Sequence, residues 1–122
     1  MKRQQSLEDY LETILMLKNR LGLVRSIDIV KELNFSKPSV SIAMKNLREK
    51  EYVIMDKDGY ISLTSKGNEI ASKVYERHTI LTQVLIKLGV DENVAKEDAC
   101  MVEHDLSEET FSKIKEFVNN HN

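Results

Sequence analysis

Ser26-Ile27-Asp28-Ile29-Val30-Lys31-Glu32-Leu33-Asn34-Phe35-Ser36-Lys37-Pro38-Ser39-Val40-Ser41-Ile42-Ala43-Met44-Lys45-Asn46-Leu47 is the stretch on which the fold turns. Ser26 and Asp28 open a short helix carrying Ile27, Ile29, Val30 and Leu33. After Asn34-Phe35, a serine followed by proline in the first turn starts another helix, because proline's missing N–H is one of the donors a helix start leaves unbonded anyway. Val40, Ala43, Met44 and Leu47 give that helix its inner side, and it is expected to run to about Glu51. Tyr52-Val53-Ile54-Met55 and Tyr60-Ile61-Ser62-Leu63 then flank Asp56-Lys57-Asp58-Gly59, a β-hairpin signature.

Upstream, Ser6-Leu7-Glu8-Asp9 reads as a helix start, a hydroxyl cap with acids in the first turn, and Tyr10, Leu11, Ile14, Leu17 and Leu21 follow at helical spacing. Downstream, Thr64-Ser65-Lys66-Gly67 leads into a long helix that Gly89 stops. Asp91 caps another, expected to reach about Asp105, and Ser107 starts the last, through Phe111, Ile114, Phe117 and Val118. The expected fold is mainly α with a small β-hairpin wing: a winged helix-turn-helix over residues 1–70, then a helical lobe over 71–122.

Composition narrows the functions open to this fold. With 41% hydrophobic and 31% charged residues in 122, the chain is globular, and its longest aliphatic run is too short to cross a membrane. Met1-Lys2-Arg3-Gln4-Gln5 lacks a secretory pattern, and one cysteine fits a reducing, cytoplasmic setting. No Trp and only three Phe make a thin aromatic core, so a partner copy is expected. The net charge of −2 conceals a division: residues 1–77 hold 14 Lys/Arg against 11 Asp/Glu, and residues 78–122 hold 4 against 9. A basic front suits a polyanion.

In a helix-turn-helix the second helix enters the major groove, with its N-terminal residues facing the bases. Here Ser36, Lys37, Pro38, Ser39 and Ser41 occupy that end, with Lys45 beyond and Lys57 near the wing tip. Hydroxyls suit bases or phosphates and lysines suit phosphates. The alternative is a plain serine cap beside a solvated lysine face. With no Arg or Gln facing the groove, shape and phosphate contacts are expected to carry much of the recognition.

The candidate chemistry of the second lobe is Cys100-Met101-Val102-Glu103-His104. Positions i, i+3 and i+4 share a helical face, so a thiolate, a carboxylate and an imidazole can converge on one cation. Asp9 and Glu12 repeat the i, i+3 spacing on the first helix, and His78 lies midway along the long one. Mixed S/N/O donors suit borderline divalent ions, and the carboxylates extend the range toward Mn(II). The structural alternatives are a core cysteine, a histidine favoured by a helix C-terminus, and ordinary first-turn acids. Neither a His-Glu-x-x-His zinc motif nor a glycine-rich phosphate loop is present, so neither an enzyme nor an organic substrate is expected.

The motifs Ser6-Leu7-Glu8-Asp9-Tyr10-Leu11-Glu12, Ser36-Lys37-Pro38-Ser39-Val40-Ser41, Leu63-Thr64-Ser65-Lys66-Gly67, Tyr75-Glu76-Arg77-His78 and Cys100-Met101-Val102-Glu103-His104-Asp105-Leu106-Ser107 occur in one order over nearly the whole chain. In them the sequence resembles the DtxR/MntR family, the diphtheria-toxin-repressor and manganese-transport-regulator group of metal-dependent transcriptional repressors. The resemblance implies a homodimer that binds double-stranded operator DNA when Fe(II) or Mn(II) is loaded, and a short, two-domain chain like the manganese-type members, without a third SH3-like domain. It also implies metal ligands at Asp9, Glu12, His78, Glu103 and His104. Cys100 stands where manganese-type members have glutamate and iron-type members cysteine, while Asp9 stands where iron-type members have methionine. Lys96 and Thr82 occupy positions of the iron-type second site, which is thereby lost. The thiolate favours Fe(II) and the two acids keep Mn(II) in play; one or two ions per chain remain open. The competing expectation is a winged-helix regulator indifferent to metal.

Overall fold

A computed structural model of the chain describes residues 2–120, with side chains from Ser6 onward. Six helices and one hairpin occur among them: α1 (Lys2–Leu21), α2 (Ser26–Leu33), α3 (Lys37–Glu49), β1 (Val53–Met55), β2 (Ile61–Leu63), α4 (Ser65–Lys87), α5 (Glu92–Val102) and α6 (Glu108–Asn120). They form two compact units, residues 1–72 and 73–122, and the division falls inside α4. None of the described helices is long and apolar enough to cross a membrane.

The first unit is a winged helix-turn-helix. Leu11, Ile14 and Leu17 of α1, Ile29 of α2, Val40, Met44 and Leu47 of α3, and Val53 and Ile61 of the hairpin make one core. Asn34 ends α2 in the left-handed region at φ 57°, a conformation Asn tolerates better than most side chains, and turns the chain toward α3. The hairpin strands are antiparallel, with Ile54 opposite Ser62, and the amide of Ile61 donates to the carbonyl of Val24 at 2.7 Å.

The Thr64-Ser65-Lys66-Gly67 motif ties the wing to α4. The Thr64 hydroxyl donates to the carbonyls of Glu51 (2.7 Å) and Tyr52 (3.1 Å), its amide donates to Tyr52 at 3.0 Å, and its Oγ1 accepts from the Gly67 amide at 3.1 Å. These bonds hold Glu51 at φ 65°, left-handed without glycine. Gly67 is glycine for lack of room: a Cβ there would lie 3.0 Å from the Tyr52 carbonyl carbon and closer still to its oxygen.

Element ends differ from the sequence expectation in three places. The helix α1 begins at Lys2, so Ser6 lies within it and caps nothing; Gln4 and Gln5 are good helix formers that let it extend. The helix α3 ends at Glu49, because Glu51 leaves the helical region. The helix α5 ends at Val102, short of Asp105, with Glu103 as its C-cap. In the second unit the buried apolar residues are few: Val74, Leu81, Ala95, Ala99, Phe111 and Val118.

Candidate metal centre and nucleic-acid interface

The helix α3 presents its N-terminal end to solvent. Ser36 is its N-cap: Oγ accepts from the Ser39 amide at 3.2 Å and donates to Ser39 Oγ at 2.8 Å. The cap therefore occupies Ser36, while the hydroxyl hydrogen of Ser39 stays available for an outside acceptor. Lys37, Pro38, Ser39, Ser41 and Lys45 are all exposed. In the hairpin loop, Asp56 Oδ1 accepts from the amides of Asp58 (2.9 Å) and Tyr60 (3.0 Å), and Lys57 is exposed at the turn so made. Where the same loop leads into β2, the Arg25 guanidinium stacks over the Tyr60 ring, 4.4 Å from its centroid.

The second unit is built around Glu103. This carboxylate is buried, at 1% exposure, and both its oxygens meet imidazoles. Oε2 lies 3.0 Å from His78 Nδ1 and Oε1 lies 3.5 Å from His104 Nε2. Oε1 accepts no well-formed hydrogen bond, an expensive state for a buried carboxyl oxygen. Cys100 offers its sulfur within 4.8 Å of a Glu103 oxygen. Cys100 is exposed, so it is not the core residue that its type alone suggests. Within this unit the Glu103 carboxylate is thus the common neighbour of three other sequence-derived candidates: His78 from α4, Cys100 from α5 and His104 from the turn that follows. A buried carboxylate, two imidazoles and a thiol fit a borderline divalent cation by donor chemistry. In the first unit, Asp9 is half-buried and Glu12 is buried, one turn apart on α1.

One residue of this region was beyond sequence reasoning. Arg77, beside His78, donates through Nη1 to the carbonyls of Glu103 (3.0 Å) and Leu106 (2.7 Å), and through Nη2 to Glu108 Oε1 at 3.0 Å. Its guanidinium sits 5.2 Å from the centroid of Phe111. The guanidinium therefore clamps the turn that carries Glu103 and His104. It also takes up the carbonyl of Glu103, the C-cap of α5, one of those that a helix end leaves without an intrahelical partner. The only signal for it was its place beside His78.

Known proteins give the site its setting. Residues 4–61 match the family profile described as the N-terminal DNA-binding domain of iron-dependent repressors, and residues 64–122 match the metal-binding and dimerisation domain of the same proteins. An HTH-type transcriptional regulator of Methanocaldococcus jannaschii is 37% identical over 116 residues, covering 93% of each chain. The transcriptional regulator MntR of Escherichia coli is 33% identical over 119 residues, covering 98% of this chain and 77% of its own. The solved structure of the manganese regulator SloR matches with a TM-score of 0.81 and 30% identity over 93% of this chain, which spans only about half (53%) of that one. The chain belongs to the iron-dependent repressor family, whose members are metal-dependent DNA-binding transcriptional regulators and not enzymes.

Proposed function

We propose that this chain is a repressor of metal-ion homeostasis that binds operator DNA as a homodimer when loaded with Fe(II) or Mn(II). In this reading residues 1–70 hold the DNA, through Ser36, Lys37, Pro38, Ser39, Ser41, Lys45 and Lys57, and residues 71–122 hold metal and the partner copy. The observation that carries it is the buried Glu103 carboxylate, faced by two imidazoles in a chain whose other unit is a winged helix-turn-helix. The match of residues 64–122 to a metal-binding and dimerisation domain supports a partner copy on the second unit.

The ligand set of the proposal is Asp9, Glu12, His78, Cys100, Glu103 and His104. When bound, the cation supplies a positive centre that attracts carboxylate, imidazole and thiolate alike. Asp9 and Glu12 belong to α1, the others to the second unit, so engagement of both sets restricts the freedom of the winged helix. A dimer reads two half-sites at fixed spacing, and restricted freedom raises its affinity for them. By linkage, DNA tightens metal binding by the same factor, roughly 5–150-fold for a coupling of about 1–3 kcal/mol.

The test is anaerobic recovery of fragmented genomic DNA on the full chain with Fe(II), Mn(II) or chelator. Specific fragments should be retained with metal and released by chelator, and Glu103→Ala should lose that response while keeping its helical content. Equal retention in chelator would establish a metal-indifferent regulator and overturn the metal part of the proposal. Metal-responsive retention by Glu103→Ala would overturn the ligand assignment.

A further inference from the structure

Ile42 is the most exposed large aliphatic side chain among the described residues of the first unit, at 63%, and it stands on the outer face of α3. Its direction follows from helix geometry. Val40, Met44 and Leu47 are buried and define the inner face. At about 100° per residue, Ile42 lies about 200° around from Val40, almost opposite the core. Pro38, one turn earlier and also exposed, shares that line, and Lys45 flanks it one turn later. The outermost line of the two N-terminal turns is thus apolar with a cationic border, and the acidic Glu49 follows where the helix ends. An aliphatic group at this place neither packs the core nor improves solubility.

What it can do depends on what faces it. In the major groove, the apolar feature of a base edge is the 5-methyl of thymine, and side chains read it by contact rather than by hydrogen bonds. The N-terminal turns of α3 offer no Arg, Asn or Gln to take guanine or adenine in bidentate fashion. We infer that Ile42 is a specificity-determining residue that packs on a thymine methyl in each half-site of the operator, with Pro38 extending the same apolar line. The inference rests on the DNA-binding reading above and deepens it: this chain selects a base by methyl contact, and its lysines and hydroxyls fix position on the phosphates.

The test is selection from a random double-stranded DNA pool by the full chain loaded with Mn(II) or Fe(II), and by its Ile42→Ala and Ile42→Gln variants. The site is exposed, so both variants should melt with the unaltered chain. The unaltered chain should enrich sequences with a thymine at one position of each half-site. Ile42→Ala should relax that position and leave the others, and Ile42→Gln should move its preference toward adenine. Replacing that thymine by uracil, which removes only the methyl, should weaken the unaltered chain roughly 4-fold per half-site, the transfer value of one such group, and leave Ile42→Ala unaffected. An Ile42→Ala profile with the thymine intact, or equal weakening of both proteins on uracil substitution, would refute the inference alone. No enrichment by the unaltered chain, with metal or chelator, would refute the DNA-binding reading and the inference with it.

Discussion

Gly67→Ala sets two effects of opposite sign against each other. Gly67 lies in the first turns of α4, within Ser65–Lys87, and intrinsic propensity favours alanine in a helix by about 1 kcal/mol. Against this, the added methyl would meet the backbone of Tyr52, 3.0 Å from its carbonyl carbon and 3.3 Å from its Cα, with the oxygen nearer still. Backbone cannot swing away as a flexible side chain does. The overlap is relieved by separating α4 from Tyr52, which stretches the two hydrogen bonds from Thr64 to that carbonyl. Overpacking costs about 1–3 kcal/mol and each broken hydrogen bond about 0.5–1.5 kcal/mol. Collision outweighs propensity, and the net destabilisation is roughly 2–3 kcal/mol. For a unit of this size that lowers the melting temperature by roughly 8–24 °C. Thermal unfolding of the metal-free chain by circular dichroism measures it, with Asn68→Ala as the matched change at an exposed position of the same turn. A Gly67→Ala chain that melts at or above the unaltered one would refute the reasoning, because propensity would then have prevailed over the clash with Tyr52.

Arg77→Ala should weaken binding of Mn(II) or Fe(II) roughly 10-fold or more by freeing the turn that carries Glu103 and His104, and Arg77→Lys should restore little, because an ammonium cannot serve the two carbonyls and Glu108 together. Competition against a fluorescent chelator reads both, and unchanged affinity in Arg77→Ala would count against the clamp. Lys45→Ala should make the plot of log affinity against log salt shallower by about 0.9 for each phosphate that Lys45 neutralises, and an unaltered slope would remove Lys45 from the phosphate-binding set.

Much of the fold was legible because local signals agreed with one another. Ser36-Lys37-Pro38 marks the start of α3, Asp58-Gly59 marks the hairpin turn, and Gly89 follows α4. Ser6 misled because a capping residue type is informative only where the chain before it is not already helical. The candidate donors of the second unit stood out as residue types at helical spacing, and the structure places Cys100 and His104 each near Glu103 even though α5 stops before the last two. The pairing of His78 with Glu103 joins side chains far apart in sequence, and no spacing rule reaches that distance. Arg77 was illegible for the same reason in stronger form: two of its partners are backbone carbonyls, which every residue carries and no sequence pattern marks.

The hydrogen bond from Ile61 to Val24 has a kinetic meaning. It closes a loop that contains all of α2, α3 and β1, whereas the helices themselves are made of near-neighbour bonds. Closing a loop of that length forfeits chain entropy before any interaction repays it, so the wing belongs to the late stage of folding, after α2 and α3 have docked on α1. A chain emerging during synthesis would possess its recognition helix before its wing. Amides of the hairpin should accordingly be among the last in the first unit to gain protection from exchange, and the partly folded species just before that step would expose Val53 and Ile61, the two core side chains the hairpin contributes.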